Sequence, residues 1–340
     1  MIDYCAFNGD ADGLCALQQL RLAGELDLEV RLISGVKRDI ELLRRVTVAH
    51  GERVTVLDVA HEQNREDTRR LLDAGARVRY FDHHYAGDLP RHPAFESFID
   101  TAAHVCTSIL VDNYLSGREH RWAVVAAFGD GLAGPARALA ERHGLNTEEV
   151  VALEELGQLL NYNAYGDSLE DLHFDPLALA GELLPYRNPI DFIRESPSFI
   201  TLKEGHAADM AAAADLVPWR ESNGARLYRL PPQPWARRVS GVLANQLAAQ
   251  APHLAIGLLS AKANGEWGFS LRVPDGSEQT ADAFCRQFPT GVDASVQPAS
   301  TVWRSRICLR LQSGYLPVTR PDVAEITGTV RHGCRISPAD

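Results

Sequence analysis

No stretch of this chain is apolar for long enough to span a bilayer, and no secretory leader opens it, so neither an anchor nor export is expected. Cysteine is sparse and scattered. Cys5, Cys15, Cys106, Cys285, Cys308 and Cys334 form no C-x-x-C pair and no close cluster, which points to buried thiols in a reducing cytoplasm rather than a disulfide framework. Positive charge is also short. Lys and Arg total 34 against 45 Asp and Glu, for a net charge of -11, and that balance argues against a surface that coats nucleic acid. It leaves room for a short basic groove around a small anion. The five tryptophans are dispersed and form no basic-aromatic platform for single strands.

What is present is ordinary in amount and pointed in arrangement. At 340 residues, 45% hydrophobic and 23% charged, the chain can build two domains with a sizeable core. Its first half alternates short β-rich runs with helical patterns, the sign of βαβ units around a parallel sheet. Strands are expected at 2–7, 28–34, 53–58, 77–82 and 95–99, and helices at 12–24, 37–49, 62–74 and 103–116. Asp12 can cap the start of the first helix. Trp122 to Phe128 is apolar all round and therefore buried. Helical patterns continue to about 185 and return at 200–216. A second αβ pattern opens at Pro231-Pro232-Gln233-Pro234, with a helix over Gly241–Leu247 and strands at His253–Leu259 and Trp267–Arg272.

Three of the apolar runs end in aspartate. Tyr4-Cys5-Ala6-Phe7 leads to Asn8-Gly9-Asp10-Ala11-Asp12-Gly13, Val54-Thr55-Val56-Leu57 to Asp58, and Val78-Arg79-Tyr80-Phe81 to Asp82-His83-His84. The carboxyl ends of parallel strands line one crevice, and carboxylates gathered there repel one another unless cations lie between them. A metal site follows from that. Asp58 can bridge two divalent ions, with Asp10 on one and Asp12, His83 and Asp130 on the other. Ions roughly 3.5–4 Å apart clamp a phosphoryl group during in-line displacement. Each residue taken singly has an ordinary role: Asp12 as a helix cap, Asp10 and Asp130 as turn residues, Asp58 as an Asx-turn. Their order at strand ends favours the metal.

In Asp10-Ala11-Asp12-Gly13, Asp58, Asp82-His83-His84 and Asp130 the chain resembles the DHH phosphoesterases, which include RecJ-like exonucleases, nano-RNases and family II pyrophosphatases. The resemblance implies an α/β fold: a parallel-sheet DHH domain over 1–185, a linker region over 186–229, and a smaller α/β DHH-associated substrate-binding domain over 230–340. It implies two divalent ions, manganese with magnesium as the alternative, on Asp10, Asp12, Asp58, His83 and Asp130, with His84 on substrate phosphate and Asp82 supporting the histidines. Two positions depart from it. Relatives place His four residues, or Asp two residues, before Asp10, where this chain has Ala6 and Asn8, so Asn8 supplies only an amide oxygen. Near the end, relatives carry a glycine-rich loop, but Phe288-Pro289-Thr290-Gly291 runs into Val292-Asp293-Ala294-Ser295. Beyond Gly291 periodicity is lost, and residues 291–340 carry six Arg against four Asp or Glu. A reading-frame shift near Gly291, leaving an atypical tail, would account for this.

In the second domain Arg272 is the best candidate for a phosphate ligand, with Arg237 and Arg238 weaker, and His104 is a candidate substrate contact near the crevice. The expected function is metal-dependent hydrolysis of a phosphodiester or phosphoanhydride. The partner is a small nucleotide, a short single-stranded oligonucleotide or polyphosphate, with no membrane and with a homodimer as an option. The alternative is a weakly active or inactive relative that binds phosphate, nucleotide or single strands.

Overall fold

The computed structural model describes residues 3–27, 29–261, 267–274, 276, 277, 281 and 284, with the backbone alone of 292–295 and 306–309. The chain divides into two compact units, 1–206 and 207–340.

The first unit is built on a parallel sheet of β1 (Tyr4–Phe7), β2 (Arg31–Ile33), β3 (Arg53–Leu57), β4 (Arg77–Asp82) and β5 (Phe95–Ile99), in the order β2-β1-β3-β4-β5. Central strands buried on both faces read as continuous apolar runs, and β1 is buried along its whole length. Period-two alternation then sorts its side chains between two cores. Cys5 and Phe7 join Leu57 and Phe81 on one face, and Tyr4 and Ala6 join Val54, Val56, Val78 and Tyr80 on the other. The first face is covered by α1 (Ala11–Leu22), α3 (Thr107–Tyr114), α4 (His120–Gly129) and α6 (Thr147–Asn163). The second is covered by α2 (His61–Asp73) and a 3-10 turn at Leu42–Arg45. Helices α5 (Ala133–Arg142), α7 (Pro176–Leu183) and α8 (Pro189–Glu195) follow in the same unit, and α9 (Pro197–Ala213) runs across the boundary.

In this strand order the chain leaves β1 toward β2 on one side and β3 on the other. The crevice outside the carboxyl ends of β1 and β3 is the place where open sheets of this kind bind ligands. Helix α4 reaches that crevice because it crosses α6 with no side chains between them. A Cβ on Gly129 would meet Ala11 Cβ at 2.4 Å and the Gly157 carbonyl oxygen at 2.7 Å, and one on Gly157 would meet the Val125 carbonyl oxygen at 2.2 Å. The contact draws the end of α4 against the start of α1.

One expected helix is absent. Residues 37–49 form only the 3-10 turn, because side chains of α2 take the backbone groups a helix would have used. Asn64 Nδ2 donates to the Ile40 carbonyl at 2.6 Å, Asn64 Oδ1 accepts from Leu43 N at 3.2 Å, and Arg70 donates to the Leu43 and Val46 carbonyls at 2.9 and 3.0 Å.

The second unit holds a smaller sheet of β6 (Arg220–Ser222), β7 (Ala225–Leu230), β8 (Ala255–Ala261) and β9 (Trp267–Arg272) in sequence order, with β7 and β8 parallel and the outer pairs antiparallel. Helix α10 (Pro234–Gln250) makes the β7–β8 crossover and packs on β8 and β9. The stretch 186–229, read from the sequence as a linker, carries α8, α9, β6 and most of β7. β10 (Val292–Ser295) and β11 (Arg306–Leu309) pair antiparallel. The rest of the tail, including the place expected for a glycine-rich loop and the proposed frame shift, lies outside the described residues. Among the described residues no helix is long and apolar enough to cross a membrane.

Candidate metal centre

The turn from β1 into α1 uses both of its aspartates structurally, though not as expected. Asp10, not Asp12, is the N-cap of α1: its Oδ1 accepts from Asp12 N at 3.0 Å and Gly13 N at 3.2 Å. Gly13 is required by close approach, since a Cβ there would lie 2.1 Å from the Asn8 carbonyl oxygen. Asp12 caps a different helix. The N-cap residue of α3, Cys106, makes no side-chain cap bond. Asp12 supplies the acceptors instead, Oδ2 taking Thr107 N and Oδ1 taking Ser108 N, each at 2.7 Å. A carboxylate at a helix start gains from the exposed amides and from the dipole.

Asp58 follows β3 with φ at +58°, in the left-handed region that aspartate tolerates better than most residues. Its Oδ1 accepts from the Thr107 hydroxyl at 3.1 Å. His83 lies at the middle of the group. Its Nε2 is 3.3 Å from Asp58 Oδ1, 3.8 Å from Asp12 Oδ2 and 3.9 Å from Asp130 Oδ2. Asp130 sits just past the carboxyl end of α4, its N–H donating to the Ala126 carbonyl at 2.8 Å. A negative charge costs stability at that end of a helix, so Asp130 needs a positive neighbour. Next to this group, His84 Nδ1–H donates to Asp82 Oδ1 at 2.8 Å and lies 3.8 Å from Asp58 Oδ1. Asp58, His83 and His84 each offer a ligand atom within 4.8 Å of the others'.

All of these acids are buried, and burial sets their chemistry. Burial and then the charges of Asp10 and Asp12 push the Asp58 carboxyl well above the usual range, against the pull of His83. Burial raises Asp130 too, partly offset by His83 and Lys37. Burial disfavours the His83 imidazolium, but the Asp58 contact and the charges of Asp130, Asp58 and Asp12 outweigh it and hold His83 well above the ordinary imidazole range. Burial likewise works against the Asp82 carboxylate, and His84 more than compensates.

The sequence missed one charged member. Lys37, in the turn after β2, bonds Asp10 Oδ2 through its Nζ, which lies 3.2 Å from Asn161 Oδ1 and 4.0 Å from Asp130 Oδ1. Burial opposes its charge, but Asp10 first, then Tyr165, Asp130 and Asp58, hold it well above the ordinary lysine range. Lysine counters the burial of Asp10 in turn and keeps that carboxyl below its usual value. The one signal for Lys37 was its place shortly after a strand, which it shares with many solvated lysines. Thr107, Ser108 and Asn161 had no comparable signal.

Of the other candidates, Ala6 packs into the second core, and Asn8 Oδ1 is buried with no hydrogen-bond partner among the described residues. His104 is exposed in the turn before α3 rather than on the helix. Arg272 belongs to the second unit and is buried on β9. Its Nε donates to Asn245 Oδ1 at 2.8 Å, and its Nη1 to Ser270 Oγ and the Leu271 carbonyl, both at 3.1 Å. Arg238 is paired with Asp209 at 2.7 Å.

No family model and no curated protein matches the chain. Solved structures do. An exonuclease RecJ bound to manganese superposes with a TM-score of 0.54 at 15% identity, over 91% of this chain and 86% of that one. RecJ from Thermus thermophilus in complex with Mn2+ gives 0.53 at 15% identity, over 93% of this chain and 50% of the other. CDC45 from Entamoeba histolytica gives 0.46 at 10% identity, over 93% of each chain. The fold of this chain is that of the RecJ exonucleases.

Proposed function

We propose that this chain is a divalent-metal-dependent phosphoesterase of the DHH type. One observation carries the reading: Asp12, Asp58 and Asp130 converge on His83 Nε2 at the β1–β3 crevice, beside a histidine already latched by an aspartate. Oxygen and nitrogen ligands about 2.1 Å from a hexacoordinate ion lie about 3 Å from their neighbours. Each of the three acids has an oxygen 3.3–3.9 Å from His83 Nε2, and Asp58, His83 and His84 offer atoms within 4.8 Å of one another, so an ion would draw Asp12 and Asp130 inward. The charge balance agrees. Four buried carboxylates, Asp10, Asp12, Asp58 and Asp130, face one ammonium and one imidazole, and a divalent cation offsets most of the excess. Manganese is the proposed ion, with magnesium as the alternative.

The ion, when bound, supplies Lewis acidity toward a phosphoryl oxygen and lowers the pKa of water, so no side-chain nucleophile is needed. The remaining work falls to the chain. Asp82 fixes the ring of His84 through Nδ1, which leaves Nε2 as the atom for a substrate phosphate. Thr107 orients Asp58 through its hydroxyl. The amides of α3 hold Asp12 in place, so the carboxylate is positioned before any ligand arrives. The second unit is proposed as the substrate-binding, DHH-associated part, with Arg272 as its phosphate ligand. Substrates are small phosphorylated molecules: a nucleotide, a short single-stranded oligonucleotide or polyphosphate.

The test is release of phosphate or nucleotide from such a panel, with manganese and after chelation. Turnover that depends on manganese supports the reading, and bound metal without turnover on any substrate refutes it. The second outcome would favour a binding protein, for which the Lys37–Asp10 pair and the neutral Asn8 speak.

A further inference from the structure

Lys37 is built into the centre rather than passing near it. Its backbone N–H donates to the Ala164 carbonyl at 3.0 Å, which ties the turn after β2 to the end of α6. Its ammonium then bonds Asp10 and reaches Asn161 and Asp130, and the side chain is 23% exposed. We propose that this ammonium stands where a second cation would otherwise lie, so that the centre takes a single divalent ion, between Asp12, Asp58, His83 and Asp130. The inference rests on the metal reading above and narrows it.

Three observations carry it. On the Asp10 side a cation is already in place: Oδ1 accepts two amides of α1, as the Asp12 oxygens accept amides of α3, but Oδ2 in addition holds the Lys37 ammonium. No second acid compensates at β1 or just after it: Ala6 lies in the apolar core, and Asn8 offers only an uncharged, buried amide oxygen. The charge count is the third. Four carboxylates with Lys37 and one dication leave a net charge of about -1, whereas a second dication would leave about +1 with an ammonium held against it. Unlike a bound ion, the lysine is tethered to the chain and is not lost to dilution or chelation.

The metal-stripped full chain is titrated with Mn2+, bound metal is counted after equilibrium dialysis, and the electron spin resonance spectrum is recorded at saturation. One Mn2+ per chain is expected, with the resolved hyperfine pattern of an isolated ion. Asn8→Asp alone is expected to stay at one, because Lys37 still fills the position. Asn8→Asp with Lys37→Met is expected to take two ions, with the broadened spectrum of a coupled pair. Two ions in the unaltered chain, two in Asn8→Asp alone, or one in the folded double variant would each overturn the role given to Lys37 and leave the phosphoesterase reading standing. No bound manganese in the unaltered chain would remove both. If the double variant fails to fold, the first two measurements still decide.

Discussion

Asp82 is fully buried, and the family resemblance gives the triplet three duties, His83 on metal, His84 on phosphate and Asp82 behind the histidines, without saying which ring Asp82 holds. Structure separates the two rings: His83 faces three carboxylates while His84 turns its Nδ1 to Asp82. Asp82→Asn removes the charge behind His84 and touches no proposed ligand. Activity is expected to fall about 10- to 100-fold, the usual cost of deleting a carboxylate behind a working histidine, with bound manganese unchanged. Steady-state kinetics beside metal analysis checks this, and metal lost in step with activity would make the role structural. At this scale the acids were legible because they end strands in a fixed order. Lys37 and Thr107 were not. A lysine after a short edge strand looks like any solvated cation, and a hydroxyl gains a carboxylate partner only once α3 has docked. The duty of Asp12 was misread for the same reason, since the helix it caps begins 95 residues later.

Among the elements, the α4–α6 crossing sets the position of Asp130. A methyl group on Gly157 would meet backbone, the Val125 carbonyl oxygen at 2.2 Å and Gly129 N at 2.8 Å, so the helices must part. Gly157→Ala is expected to cost about 1–3 kcal/mol, as overpacking does, and to weaken manganese binding as Asp130 withdraws. Urea unfolding and a manganese titration together check the pair of effects, and lost stability with affinity intact would break the link. Most elements were readable from pattern, because apolar strands and amphipathic helices need little beyond themselves. The helix expected at 37–49 failed where tertiary partners prevailed: Asn64 and Arg70 of α2 satisfy the backbone there. The start of the second sheet was missed because β6 is only three residues long and β7 lies wholly ahead of the prolines at which the second pattern opens.

Over the whole molecule, the buried centre couples stability to pH and to metal. In the metal-free chain His83 and Asp58 both hold their protons above the ordinary range. A raised folded-state pKa contributes stability that is full below the unfolded value and lost as pH rises through the folded one. The metal-free chain is therefore expected to melt at a lower temperature as pH rises from mildly acid to alkaline. Both groups must shed a proton to act as ligands, so manganese affinity should rise over the same interval. At a concentration about 100 times its Kd, the ion adds about 2.7 kcal/mol and reverses the decline. Calorimetry across pH with and without manganese checks this, and a metal-free melting temperature that climbs with pH would contradict it.

The shared duty of Asp12 changes what mutation, or drift, can reveal about this chain. A descendant that had abandoned catalysis would still need that carboxylate, because without it α3 loses its lid of acceptors and unwinds at its start. Asp130 begins no helix: it rests against an unfavourable dipole, and what offsets its charge is its neighbours His83 and Lys37, with a cation where the centre is loaded. In any survey of variants, the fate of Asp130 is thus the more candid witness to whether the chemistry is still in use.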